Sequence, residues 1–130
     1  MIFIDTNYFL RYLLNDINDQ HQEAKELFMS GSEGKFELMT SSLVLFEVYW
    51  VLGSVYSFNK QSIAESLSKL LKLSFIQFNE RNIFISALVL FEKTNLDLED
   101  CYNLFYAKEA KVTDFKTFDK KLQKEFKASK

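Results

Sequence analysis

Short apolar segments alternate with longer segments of helical spacing along this chain, and that alternation limits the possible folds more than any other feature. The short segments, predicted as strands, are residues 2–5, 36–40, 74–78 and 115–117. In the intervals, apolar side chains recur at the spacing of a helix. The predicted helices cover residues 8–14, 20–29, 43–57, 60–73, 80–93, 98–110 and 119–127. Capping residues such as Ser41, Asn59 and Asn79 stand at several of their starts.

Strands that alternate with helices predict a parallel sheet with helices on both faces. The expected fold class is therefore α/β, with three α/β/α layers around a central, mostly parallel sheet of four to five strands. The chain has 130 residues, of which 48% are hydrophobic, so we expect a single domain spanning residues 1–130.

Charge is distributed unevenly along the chain. The net charge is −2, yet residues 108–130 hold eight lysines and four acids, while the rest holds eight basic and fourteen acidic side chains. A basic end can attract a polyanion, although a solvated helix face explains the same pattern. The single cysteine excludes an internal disulfide, and no apolar run reaches the ~18 residues needed to span a membrane. We expect no signal peptide, because no basic leader followed by a long apolar run is found. We expect a soluble, cytoplasmic protein with no membrane contact.

Four acids stand where this topology would bring them together. Asp5 ends the first strand, Glu47 lies about one turn into the helix after the second strand, Asp100 lies in the first turn of a later helix, and Asp119 follows the last predicted strand. Right-handed crossovers place the carboxyl ends of parallel strands along one edge, where ligands of open sheets bind. We therefore expect the four carboxylates to converge at that edge.

Carboxylates that converge repel one another, so such a cluster calls for shared protons or a bound cation. Oxygen ligands without histidine or cysteine suit Mg²⁺ or Mn²⁺, which can activate water against a phosphodiester. Each acid also has a simpler explanation. Asp5 and Asp119 could cap helices, and Asp100 could favour a helix dipole. Glu47 is harder to explain simply, because its neighbours are almost all apolar.

Four stretches of the sequence resemble PIN-domain ribonucleases, and in particular the VapC-type toxins of type II toxin–antitoxin pairs. They are IDTNYFLRYLLND at 4–16, SSLVLFEVYWVL at 41–52, LDLEDCYNLFYAKEA at 96–110 and KTFDKKL at 116–122. They follow the family's order and span nearly the whole chain. The resemblance implies a metal-dependent endoribonuclease that hydrolyses RNA phosphodiester bonds with Mg²⁺ or Mn²⁺.

The resemblance also implies roles for individual residues. The catalytic, metal-binding acids would be Asp5, Glu47, Asp100 and Asp119. Thr6 and Asn7 match the small polar pair that supports the first acid, and Thr117 matches a hydroxyl that orients the site.

The third motif departs from the family pattern. Leu98, Glu99 and Cys101 stand where an aromatic residue, a small residue and an alanine are usual. Either Asp97 or Asp100 could then be the closer ligand. The resemblance favours Asp100, with Asp97 as the helix cap.

Phosphate contacts near the metal edge are expected from Arg11, Lys116, Lys120 and Lys121, with ordinary solvated side chains as the simpler alternative. The resemblance further implies a small antitoxin partner and a homodimer.

Two other functions stay open: a non-catalytic PIN-like module that binds RNA or protein, and a phosphatase with an aspartyl nucleophile. The phosphatase would usually carry a second acid where Asn7 stands. The sequence does not indicate which RNA is cut.

Overall fold

The structure, a computed structural model, describes residues 1–128 and divides into two compact units, Met1–Glu80 and Arg81–Lys130. The elements of the first unit are β1 (Ile2–Phe3), α1 (Thr6–Leu13), α2 (Asn18–Ser32), β2 (Leu38–Met39), α3 (Ser42–Ser54), α4 (Lys60–Leu71) and β3 (Ile76–Gln77). Those of the second unit are α5 (Arg81–Lys93), α6 (Leu98–Glu109) and α7 (Lys120–Ala128). The single domain over residues 1–130 stays a prediction, and Ser129 and Lys130, part of the basic end, lie outside the described residues.

The described strands form a parallel sheet in the order β1-β2-β3. Backbone hydrogen bonds continue it beyond the strand ends, since the Ile4 N–H donates to Met39 O at 2.8 Å and the Thr40 N–H donates to Gln77 O at 3.0 Å. The parallel sheet is thus confirmed at the first three predicted positions. The count of four to five strands and the three-layer arrangement stay predictions.

The strand predicted at residues 115–117 is not formed. The reason is local, because side chains in this segment bond to nearby backbone groups. The Phe115 N–H donates to Asp114 Oδ1 at 2.8 Å, and the Asp119 N–H donates to Thr117 Oγ1 at 3.0 Å. Such bonds compete with strand pairing and hold the segment in turns.

Two predicted caps fix helix starts in the first unit. Ser41 Oγ accepts from the Val44 N–H at 3.4 Å at the start of α3, and Asn59 Oδ1 accepts from the Ser62 N–H at 2.8 Å at the start of α4. Each bond satisfies a backbone donor that has no partner within the helix.

The core of the first unit lies where α1 packs against α2 and α3. Phe9 is 1% exposed, and its ring centroid is 5.6 Å from that of Phe28 on α2. Helix α2 approaches β2 closely at Gly31, where an added Cβ would lie 2.5 Å from Leu38 Cδ1. Only glycine fits this approach without a shift of Leu38.

The second unit is built on the packing of α5 against α6 and of α6 against α7. The rings of Phe84 on α5 and Tyr102 on α6 lie 5.5 Å apart, and those of Phe115 and Phe126 lie 5.4 Å apart. This packing holds the start of α6 and the turn before α7 on one scaffold. Within residues 1–128, none of the helices combines the length and the apolar character that crossing a lipid bilayer requires.

Candidate active site

Asp5 stands at the junction of β1 and α1 with an exposed side chain. Its backbone carbonyl accepts the Tyr8 N–H at 3.2 Å, whereas its carboxylate makes no capping hydrogen bond. The simpler explanation of Asp5 as a side-chain cap therefore does not hold. The carboxylate is left available at the carboxyl end of the first strand.

Thr6 directly follows Asp5 and is 7% exposed. Its Oγ1 is buried and has no hydrogen-bond partner among residues 1–128. A buried hydroxyl is costly unless it is hydrogen-bonded. A hydrated cation beside Asp5 would satisfy it.

Glu47 lies in the second turn of α3, half-buried between apolar neighbours. Its carboxylate makes no hydrogen bond or ion pair with the rest of the described chain. The strand ends that precede Asp5 and α3 are tied together, because Thr40 Oγ1 donates to Ile4 O at 3.0 Å. Asp5 and the helix that carries Glu47 therefore start from adjacent strand ends of the first unit.

The second unit gathers three acids around Asp100, which lies in the first turn of α6. Burial raises the pKa of the Asp100 carboxyl above its ordinary value. Three neighbouring acids raise that pKa further: Asp97, Asp119 and Glu99. The structure thus brings Asp100 and Asp119 within electrostatic reach, although 18 residues lie between them in the sequence.

Asp119 acts as a helix cap, which was the alternative to metal binding that the sequence offered for this residue. Its Oδ1 accepts from the Lys121 N–H at 2.9 Å and from the Leu122 N–H at 3.1 Å, at the start of α7. Its Oδ2 makes no hydrogen bond with the described residues, so one carboxylate oxygen is engaged and the other is available for a ligand.

Asp97 occupies the N-cap position of α6, as the sequence predicted, but its side chain makes no capping hydrogen bond. Its exposed carboxylate instead contributes to the negative charge around Asp100. Of these two acids, Asp100 is half-buried and Asp97 is exposed.

A pocket of about 330 Å³ opens beside the first strand's end, lined by Asn7, Tyr8, Arg11, Gln20 and Glu23. The Tyr8 hydroxyl donates to the Glu23 carboxylate, which raises the pKa of Tyr8. The sequence predicted Asn7 and Arg11 as functional residues but missed the other three. Nothing in the sequence indicates which face of α2 meets α1, so no local signal identifies Gln20 or Glu23.

The four predicted phosphate contacts differ in their surroundings. Arg11 Nη1 donates to Asp16 Oδ1 at 2.7 Å and its Nη2 donates to the Tyr56 hydroxyl at 3.1 Å, so only its other N–H groups can meet a ligand. Lys116 pairs with Asp114 at 2.8 Å. Lys120 and Lys121 are exposed at the start of α7.

No three His, Cys, Asp or Glu side chains within residues 1–128 lie close enough together to hold a metal ion. The chemistry of the donors nevertheless fits Mg²⁺ or Mn²⁺, because every predicted ligand is a carboxylate oxygen. The electrostatics fit as well, since the crowded acids around Asp100 would be relieved by a cation.

A comparison with known protein families matches residues 2–127 to the PIN domain. No curated protein sequence matches the chain. The PIN domain is generally a nuclease fold, and nucleases of this kind usually use divalent metal ions. The match covers nearly all of the sequence, and the chain belongs to the PIN domain family.

Proposed function

We propose that this protein is a Mg²⁺- or Mn²⁺-dependent endoribonuclease and the toxin of a toxin–antitoxin pair of the VapC type. Family membership supports nuclease activity. The finer assignment draws on the four resembling stretches and on the acids described above. Asp5, Glu47, Asp100 and Asp119 would hold the cation.

One observation carries the proposal more than any other. The Asp100 carboxyl is partly buried among other acids, and its pKa is raised by that burial and by their charge. Packing a carboxylate against like charges destabilises a fold, and such arrangements concentrate at functional sites. In a nuclease, that cost is offset when a divalent cation binds.

The available carboxylates of the first unit support the same function. Asp5 and Glu47 make no side-chain hydrogen bond or ion pair with the rest of the described chain. Asp5 and the helix that carries Glu47 follow adjacent strand ends. Carboxylates that serve structure alone usually accept capping or ion-pair bonds, as Asp119 does through one oxygen. The two acids are therefore suited to an external ligand.

Each residue then has a defined task in hydrolysis. When bound, a divalent cation lowers the pKa of water and stabilises the charge on the phosphate. The four carboxylates would hold that cation, and Thr117 fixes the backbone of Asp119. Without the cation, the same acids would repel the phosphate backbone of RNA. The expected products carry a 5′-phosphate on the downstream fragment.

Cleavage of total cellular RNA tests the proposal. The purified protein is assayed with Mg²⁺, with EDTA, and as the Asp5→Asn variant. The matched control is Asp19→Asn, which replaces an exposed acid of α2. We expect wild type and Asp19→Asn to cut RNA in Mg²⁺. We expect no cutting when EDTA removes the metal, and none by Asp5→Asn. Cutting that persists in EDTA or in Asp5→Asn contradicts the mechanism, and a protein that binds RNA without cutting it supports the non-catalytic alternative.

The toxin assignment needs a test in cells. Induction of the wild type should arrest growth, and induction of Asp5→Asn should not. Sequencing RNA 5′ ends after induction would identify the substrate.

We further propose a cytoplasmic location, a small antitoxin that covers the acids, and a homodimer. Light scattering that shows a monomer across micromolar concentrations would overturn the homodimer.

A further inference from the structure

Phe118 is the most exposed large apolar side chain described, with a relative exposure of 106%. Its ring makes no aromatic contact with residues 1–128. The neighbouring Phe115 is packed against Phe126, so an apolar surface for a phenylalanine ring exists in this unit. The exposure of Phe118 is therefore a specific feature of the turn that carries it.

Hydrogen bonds on both sides hold the backbone of Phe118 in place. Before it, Thr117 Oγ1 accepts from the Asp119 N–H at 3.0 Å, and after it, Asp119 Oδ1 accepts from the Lys121 N–H at 2.9 Å. The ring thus projects from a fixed turn beside an acid of the proposed metal site. A backbone fixed in this way reduces the conformational entropy that this segment loses when a flat partner stacks on the ring.

The surroundings of the ring are basic. Three exposed lysines and one acid, Asp119, lie within three residues of Phe118. Lys116 is ion-paired with Asp114 at 2.8 Å, so Lys120 and Lys121 are the flanking lysines available to a ligand. Exposed aromatic rings between cationic side chains are the combination that binds single-stranded nucleic acid, in which bases stack on the ring and the cations contact phosphates. A protein partner would instead be expected to meet a broader apolar surface with fewer charges.

We propose that Phe118 is a stacking platform for an unpaired base of the RNA substrate, with the flanking lysines on the adjacent phosphates. This inference rests on the proposed function for its substrate and refines it, because a stacked base must be out of a duplex. The cut site would then lie in a single-stranded or looped segment. Sequence reasoning missed Phe118, since it treated the residue only as part of the family motif.

Fluorescence tests the stacking directly. A chain with Trp50→Phe and Phe118→Trp carries one tryptophan, at the proposed platform. Binding is measured in the Asp5→Asn background with Mg²⁺, with a short mixed-sequence RNA, single-stranded or annealed to its complement. The single strand should quench the tryptophan, and the duplex should not. Absence of quenching by the single strand overturns the proposal.

Affinity measurements separate stacking from simple apolar contact. In the same background, Phe118→Ala and Phe118→Leu should weaken binding of the single strand about 5- to 100-fold, and Phe118→Tyr should bind like its parent. The matched control is Phe36→Ala. Phe36 is also an exposed ring, but it lies just before β2, whereas α3 follows the carboxyl end of β2. If Phe118→Ala or Phe118→Leu binds as well as its parent, the platform is refuted and the exposed ring is left to a protein partner.

The stacking role of Phe118 and the ribonuclease activity can fail separately, and the two failures give different results. A protein that cuts RNA in Mg²⁺ with equal KM in wild type and Phe118→Ala keeps the ribonuclease and loses the platform. A protein that never cuts RNA, yet binds single strands through Phe118, keeps the platform and loses the enzyme. Equal melting temperatures of Phe118→Ala and wild type are expected, because the ring contributes no packing.

Discussion

Thr117 and Asp119 are joined by a hydrogen bond in which the Asp119 N–H donates to Thr117 Oγ1 at 3.0 Å. Asp119 Oδ1 in turn accepts from two backbone N–H groups at the start of α7. Thr117 thus fixes the backbone of Asp119, and α7 orients its carboxylate through Oδ1, with Oδ2 left over for a ligand. Thr117 is a positioning residue in the proposed site, since it acts through Asp119.

Thr117→Val tests this positioning, because it removes the acceptor and keeps the shape of the side chain. We expect kcat for RNA cleavage to fall about 10- to 100-fold, with KM little changed, as a misplaced ligand affects chemistry more than binding. Thr117→Ser, which restores the hydroxyl, should recover most of the activity. Equal kcat in Thr117→Val and wild type would show that the bond does not position Asp119.

Asp100 makes the stability of the fold depend on pH in a defined direction. Its folded pKa is raised above the unfolded value of about 3.9, so the folded state binds more protons than the unfolded state between the two values. Stability therefore falls as pH rises through that window and remains lower at neutral pH.

Asp100→Asn should relieve this repulsion. Without added metal, we expect the variant to melt about 1–3 °C above wild type at pH 7, and the difference should vanish near pH 3. Thermal unfolding from pH 3 to pH 8 measures this difference. The control is Glu92→Gln, which replaces an exposed acid of α5. A variant that melts below wild type at pH 7 would mean that the Asp100 charge stabilises the fold.

Much of the fold could be predicted because its signals are local. The apolar run before Asp5 predicted β1, and Ser41 and Asn59 predicted the starts of α3 and α4 through capping bonds that the structure contains. The strand at residues 115–117 was wrong because side-chain bonds from Asp114 and Thr117 outcompeted pairing. Apolar residues alone do not show that competition.

The candidate site was predictable in its residue types and less so in its geometry. Asp5 and Asp119 both precede helices, yet only Asp119 uses its carboxylate as a cap. Because both acids directly precede a helix in the sequence, the sequence alone does not distinguish them. The pocket beside Asn7 was missed for a related reason, since Glu23 reaches Tyr8 only through the packing of α2 on α1.

Glu47 provides the test of metal binding in the first unit. Titration calorimetry with Mn²⁺ should detect binding to wild type, and Glu47→Gln should weaken it about tenfold or more, because a neutral amide is a poor substitute for a carboxylate ligand. The matched control is Glu65→Gln, which replaces an exposed acid of α4 and should bind Mn²⁺ like wild type. If Glu47→Gln binds Mn²⁺ as wild type does, Glu47 is not a ligand.

Salt dependence tests the lysines at the start of α7. For single strands, the logarithm of the binding constant falls with the logarithm of salt concentration, with a slope of about −0.7 per phosphate contact. Replacing both Lys120 and Lys121 by glutamine should therefore make the slope less steep by about 1.4 if each contacts one phosphate. The control is Lys69→Gln on α4, which should keep the wild-type slope. The measurement uses Asp5→Asn with a single-stranded RNA at several salt concentrations and constant Mg²⁺. If the double variant has the same salt slope as its parent, neither lysine contacts a phosphate. Counterion release reports phosphate contacts whatever base is bound.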